Sequence, residues 1–201
     1  MTSILHLDSS AKPAGSATKD LTQAVVAKLQ AAHPGSAVVY RDLAANPLPH
    51  ATPDFLSALF SGEAGASHET VILSDKLIEE LLAADTLVIG APMYNFGIPS
   101  TLKAWIDLVW RAGKTFKYTP EGTVNGLAAG RKAIIVVGTG GIYAEGPMVP
   151  FDHVTPYLKQ ALGFIGITDV TVIRAEKQAF GAEAATQEIQ NAKLAIEKDV
   201  A

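Results

Sequence analysis

Apolar residues along the chain fall into two alternating patterns. Short Val-, Ile- and Leu-rich blocks at 4–7, 37–40, 86–90, 133–137 and 169–174 have the length and branching of buried strands. Between them run helical stripes. Leu21, Val25 and Leu29 recur four apart within 16–32, and His33-Pro34-Gly35 ends that helix. Leu77, Ile78, Leu81 and Leu82 form one stripe within 74–84. Pro99 suits a first helical turn, and Leu102, Trp105, Ile106 and Val109 follow at i, i+3, i+4 and i+7. Two more helices are predicted over 153–164, closing at Gly166, and over 182–199, where Ala185, Ile189, Ala192 and Ile196 are in phase. Residues 46–60 carry three prolines and read as irregular, with one helical turn near the end, and 113–130 reads as a polar, glycine-containing connection.

Strands and helices alternate without linker, repeat or charge block, which predicts a parallel sheet covered by helices on both faces. Five strands in 201 residues fit a single α/β domain over 1–201, a flavodoxin-like doubly wound sheet of order 2-1-3-4-5. A dinucleotide-binding Rossmann order is the alternative, and the sixth strand it usually needs is not evident. Composition then removes function classes. Sixteen Lys and Arg against 20 Asp and Glu leave a net charge of -4, so a basic footprint for nucleic acid is missing. Without cysteine there is no disulfide, thiolate zinc site, iron–sulfur cluster or cysteine nucleophile. The five histidines lack helical metal-ligand spacing, so no metal is expected. The longest clean apolar run, 133–137, is far below the ~20 residues that span a bilayer, so no membrane partner is expected. The N-terminus lacks a basic stretch ahead of a long apolar one, and a soluble cytoplasmic protein is expected.

An open α/β sheet binds ligands beyond the C-terminal ends of its strands, at the switch point, so three loops carry the chemistry. The first runs from Asp8-Ser9-Ser10 to Gly15-Ser16-Ala17-Thr18 and opens a helix. Its hydroxyls (Ser10, Ser16, Thr18) and free helix N–H groups suit a monophosphate, although plain capping by Ser16 or Thr18 gives the same pattern. The third-strand loop is Ala91-Pro92-Met93-Tyr94-Asn95-Phe96-Gly97. Met93, Tyr94 and Phe96 offer a broad apolar surface, and Asn95 a donor and an acceptor, which is the mixture a planar heteroaromatic ring needs. Gly97 and Pro99 restrict the loop's shape. After the fourth strand, Gly138-Thr139-Gly140-Gly141 lets backbone approach a ligand and offers N–H groups to an anionic edge. A tight turn alone would also explain it. Gly113-Lys114-Thr115 is no phosphate loop, because Leu108 stands where the earlier glycine belongs, and Tyr143 breaks the dinucleotide fingerprint begun at Gly138. Asp152-His153 reads more readily as a helix start than as an acid–base pair.

The run Ala91-Pro92-Met93-Tyr94-Asn95-Phe96, followed by Pro99-Ser100-Thr101-Leu102-Lys103-Ala104-Trp105-Ile106-Asp107, resembles the FMN-dependent NADH:quinone oxidoreductases that also act as azoreductases. Arg41-Asp42-Leu43-Ala44-Ala45-Asn46-Pro47, Leu73-Ser74-Asp75, Arg111-Ala112-Gly113, Thr115-Phe116-Lys117-Tyr118 and Leu162-Gly163-Phe164-Ile165-Gly166-Ile167 match in order, so the resemblance spans essentially the whole chain.

The resemblance implies FMN as cofactor, with NADH or NADPH as donor. It implies that Ser10, Ser16, Ala17 and Thr18 hold the phosphate, that Met93, Tyr94, Asn95 and Phe96 lie along the flavin ring, and that Gly138, Thr139, Gly140 and Gly141 reach its pyrimidine edge. It also implies a homodimer with two sites at the interface, with Phe60, Tyr118 and Phe164 as aromatic cover beside Phe96. Quinones and aromatic azo compounds are the implied acceptors, reduced by two electrons in a ping-pong hydride relay on the cofactor, with no obligatory catalytic side chain. Two positions depart from the pattern. Relatives commonly carry Ser-Arg-Gly-Gly where this chain has Gly138-Thr139-Gly140-Gly141, and often a polar residue in place of Ala17. The rivals are a flavodoxin-type electron carrier, which leaves NADH untouched, and a domain that has lost FMN.

Overall fold

Strand residues of alternating direction feed two separate layers, and that alternation builds the molecule. In β3 (Thr86–Pro92), Leu87 and Ile89 join one core while Val88 joins the other. In β6 (Lys132–Gly138), Ala133, Ile135 and Val137 face one way and Ile134 and Val136 the other. Both faces are apolar because both are covered. One core takes the stripes of α3 (Glu69–Ala83), α4 (Ser100–Val109) and α5 (Thr155–Phe164); the other takes those of α1 (Ala17–Ala32) and α6 (Ala182–Asp199).

The computed structural model describes residues 2–200. Its main sheet has the order β2-β1-β3-β6-β7, every neighbour parallel, with β1 at Ser3–Asp8, β2 at Ala37–Asp42 and β7 at Asp169–Ala175. This is the expected five-stranded doubly wound sheet. The chain reverses its winding at β1 and β3, which leaves a crevice beyond their C-terminal ends. No helix among the described residues is long and apolar enough to cross a membrane.

Three stretches differ from the expectation. Residues 46–60 hold a two-turn helix, α2 (Pro53–Phe60), because Thr52 accepts from the Phe55 N–H and Pro53 sits in the first turn. The α3 helix starts at Glu69, five residues before the expected start at Ser74, capped by His68 Nδ1. The connection 113–130 contains an antiparallel hairpin, β4 (Phe116–Tyr118) and β5 (Val124–Gly126). Strands of three residues leave too short a period to read.

Candidate functional site

Loops after β1, β3, β6 and β7 converge on one edge of the sheet and enclose an open cleft of about 240 Å³. Ser10, Ser16, Ala17, Thr18, Met93, Tyr94, Gly138, Thr139 and Gly140 line it, all singled out from sequence. Asn95, Phe96 and Gly141 lie beside it in the same loops rather than in its wall.

The phosphate end is built by α1. Gly15, at φ 64°, turns the chain so that Ser16 caps the helix, its Oγ accepting a long 3.4 Å bond from Lys19 N–H. The N–H groups of Ala17 and Thr18 donate to nothing among the described residues. Ser16 Oγ and Thr18 Oγ1 lie 3.2 Å apart, both buried, with Ser10 close by in the same wall. Free N–H groups, hydroxyls and the positive end of a helix dipole make an anion seat. Lys12 adds a cation at the exposed rim.

Beneath this seat, Asp8 is fully buried and accepts from Thr22 Oγ1 at 2.8 Å and from Tyr40 hydroxyl at 3.1 Å, which ties α1 and β2 to the end of β1. Burial and the Asp8 carboxylate push the Tyr40 phenol up to about 12, so it stays a donor at any physiological pH.

The third-strand loop is a tight turn. Tyr94 and Gly97 exchange both backbone hydrogen bonds, at 3.0 and 3.1 Å, and Asn95 and Phe96 between them have φ of 48° and 71°. The left-handed twist therefore falls on Asn95 and Phe96 rather than on Gly97. Asparagine tolerates that region; phenylalanine is strained there by about 1–2 kcal/mol. The turn is fastened to its neighbours: Met93 N–H donates to Gly138 carbonyl at 2.8 Å, and Ala11 N–H to Tyr94 hydroxyl at 3.0 Å.

After β6, the carbonyls of Thr139, Gly140 and Gly141 are taken by the N–H groups of Gln178, Ala179 and Lys177 at 3.0–3.1 Å. The N–H groups of Gly140 and Gly141 are left without partners among the described residues, so this loop presents donors only. Thr139 turns its hydroxyl inward onto Gly141 carbonyl at 2.8 Å and gives its N–H to Ala175 carbonyl at 3.1 Å, so the loop's free donors are the N–H groups of Gly140 and Gly141. Sequence reasoning missed this support. Gln178 and Ala179 line the cleft from the loop after β7, the remaining loop on the same edge. The strand-end rule that located the other loops would have found it too.

The residues present fit FMN. The anion seat suits its phosphate, the Met93–Phe96 surface its ring, and the donor-only loop an electron-rich ring edge. Residue 138 packs closely against the seat: a Cβ there would stand 2.8 Å from Thr18 Cγ2, so the Thr18 side chain would have to shift. Gly138→Ala is expected to displace Thr18 and weaken FMN binding about tenfold, about 1.4 kcal/mol, by flavin fluorescence titration. Unchanged affinity would show that Thr18 is not part of the seat.

The aromatic cover is placed elsewhere. Tyr118 and Phe164 flank Phe116, whose ring centroid is 5.6 Å from Tyr118 and 4.7 Å from Phe164. They remain 65% and 39% exposed, and Phe60, at the end of α2, is 87% exposed. None of the three lines the cleft of its own chain. Asp152 stands just ahead of a helix: its Oδ1 accepts from Val154 and Thr155 N–H at 3.0 Å, at the start of α5. The Gly113-Lys114-Thr115 turn sits at the end of α4, away from the cleft.

A doubly wound sheet of order 2-1-3-4-5 among its main strands, with its cleft at the winding reversal, defines the flavodoxin-like class, and the family model for the flavodoxin-like fold matches residues 2–200. The chain is 49% identical over 201 residues to an FMN-dependent NADH:quinone oxidoreductase of Rhizobium johnstonii, covering 98% of each chain. It is 46% identical over 200 residues to one from Hyphomonas neptunium, covering 98% of this chain and 95% of that one. A crystal structure of azoreductase from Bacillus anthracis superposes with a TM-score of 0.86 at 32% identity, covering 98% of this chain and all of that one. The chain belongs to the FMN-dependent NADH:quinone oxidoreductase family.

Proposed function

We propose that this protein is an oxidoreductase that binds FMN in the cleft and uses NADH to reduce quinones by two electrons, and aromatic azo compounds in two rounds. The names of its relatives support the enzyme class, the cofactor and the donor. The observation that carries the reading is the meeting, in one cleft, of an anion seat, an apolar wall and a donor-only loop.

FMN held here would supply the redox chemistry, two-electron transfer from NADH to an acceptor that takes the donor's place. The chain's own residues bind and orient. Ala17 and Thr18 N–H and the hydroxyls of Ser10, Ser16 and Thr18 hold the phosphate. Met93 and Tyr94 pack the ring, and Asn95 offers its amide to the ring edge. Gly140 and Gly141 N–H would donate to the edge that gains charge on reduction, the kind of preorganised donor that costs no rearrangement. No side chain need act as acid or base, since solvent supplies the protons. NADH, a proton and a quinone give NAD and a hydroquinone; an azo compound needs two NADH and two protons to give two amines. The exposed rings of Tyr94 and Phe96 fit broad selection of planar acceptors.

The exposed rings of Tyr118 and Phe164, which flank the buried Phe116, and the exposed Phe60 support a homodimer in which one subunit's aromatics cover the other's cleft. A single cytoplasmic domain over 1–201 completes the reading, in keeping with the absence of cysteine.

The test is the visible spectrum of FMN-loaded protein before and after anaerobic NADH, followed by initial rates at varied NADH and quinone. Direct bleaching to the two-electron form and parallel double-reciprocal lines are expected. Flavin that stays oxidised would favour an electron carrier, and a protein that takes up no FMN would overturn the reading.

A further inference from the structure

The strained Phe96 is held by a segment that reaches it from another part of the fold, and that segment is itself buckled to β7. Between β6 and α5 the chain passes over the 93–97 turn. His153 N–H donates to Phe96 carbonyl at 3.0 Å. The ring centroids of Phe151 and Tyr143 lie 5.4 and 6.4 Å from that of Phe96. Both ends of this segment are anchored on the C-terminal end of β7 and the residue that follows it. At one end, Glu176 Oε1 accepts from Tyr143 and Ala144 N–H at 2.8 and 2.9 Å. At the other, Arg174 Nη2 donates to Asp152 Oδ2 and to Thr155 Oγ1, both at 2.7 Å. Arg174 Nη1 stands 3.7 Å from Glu176 Oε1, so one guanidinium lies between the two anchoring carboxylates.

We propose that Arg174 is a positioning residue, which through Asp152 and Glu176 fixes the 143–155 segment and so sets the orientation of Phe96 over the acceptor site. The inference rests on the functional reading above for its effect on turnover, but not for its effect on structure. Three observations support it. The carboxylates of Asp152 and Glu176 are almost wholly buried, and an ionic network in such a place is rarely the most stable solution available, so it is better explained by the geometry it imposes. Arg174 Nη1 is buried without a hydrogen bond among the described residues, so charge and position hold the guanidinium rather than full saturation of its donors. A phenylalanine at φ 71° persists only where its surroundings over-determine it, and His153, Phe151 and Tyr143 all come from the buckled segment. Burial by itself would raise the Asp152 carboxyl; the Thr155 N–H, the Arg174 guanidinium and the Thr155 hydroxyl outweigh it and hold the group below the usual carboxylate range. The anchor is therefore charged at neutral pH.

The experiment compares Arg174→Met, Arg174→Lys and Phe151→Ala with the parent protein. Amide exchange is followed in FMN-free protein, and FMN affinity, kcat and KM for 2-methyl-1,4-naphthoquinone in the loaded one. In Arg174→Met the His153 amide is expected to exchange about tenfold faster, about 1.4 kcal/mol. The quinone KM should rise about tenfold, with kcat and FMN affinity within about threefold of the parent. Arg174→Lys, which keeps the charge, should fall between the two. Phe151→Ala leaves the buckle intact and removes only an exposed ring, so it should raise KM about fivefold without loss of melting temperature. A merely structural role would instead move FMN affinity, kcat and KM together. Parental exchange at His153 in Arg174→Met, or a parental KM in Phe151→Ala, would overturn the proposal. A parent protein that does not oxidise NADH overturns the functional reading alone, and the exchange at His153 then decides the role of Arg174.

Discussion

Ala17→Asp is expected to weaken FMN binding at least about 100-fold, or about 2.7 kcal/mol, while leaving the FMN-free protein as stable as before or slightly more so. The two effects have opposite signs for one reason. Ala17 is the first residue of α1, half-buried in the cleft wall beside the free N–H groups. A carboxylate there complements the helix dipole, worth about 0.3–1 kcal/mol to the empty protein. It also takes the place of, and repels, the phosphate. Like charges about 4 Å apart near a protein surface cost about 4 kcal/mol, so 100-fold is the lower bound. Riboflavin, which has the ring but no phosphate, is the control, and its affinity should change less than about threefold. If FMN and riboflavin weaken together, the helix terminus is not the phosphate seat. If neither changes, FMN does not bind in this cleft.

Trp105→Ala should give the largest loss of stability, about 3–5 kcal/mol, which in a chain of this size lowers the melting temperature by about 10 °C or more. Trp105 is wholly buried in α4 beneath the sheet and packs edge-on against Trp110, centroids 5.6 Å apart at 74°. Its indole N–H has no partner among the described residues, whereas that of Trp110 donates to Ala161 carbonyl at 2.9 Å. An orphaned buried donor costs about 1–3 kcal/mol, so Trp105→Phe removes a penalty along with the contacts it loses. It should destabilise by less than about 1.5 kcal/mol. Thermal melting of the three proteins checks both claims. Equal losses for Ala and Phe would mean that the indole N–H is satisfied after all, and a drop of only a few degrees for Ala would mean that the core collapses around the space.

The sheet and its helices were legible in the sequence because each is a local pattern carried over many residues. Val88 and Ile89 had to face opposite layers, and the 21-25-29 stripe had to face one. The cleft was legible through the strand-end rule, which put Ser16, Tyr94 and Gly140 on one edge before any distance was known. The resemblance to FMN-dependent oxidoreductases pointed to the same loops. Residues that depend on remote partners were not legible. Nothing local marks Arg174 as reaching Asp152, 22 positions away, or Gln178 as closing the cleft wall. The left-handed twist was not legible either, since Phe96 bears it because His153 and Phe151, remote in sequence, hold it there.

The amino-acid sequence by itself determined the fold class, the strand order, the family and the loops that carry the chemistry, because backbone periodicity and turn chemistry are written in near neighbours. Only the tertiary structure decided which donors are free, which carbonyls are already taken, which threonine turns inward and which arginine holds the strained turn. Hydrogen-bond satisfaction and burial are properties of groups brought together from distant parts of the chain, and no local pattern encodes them.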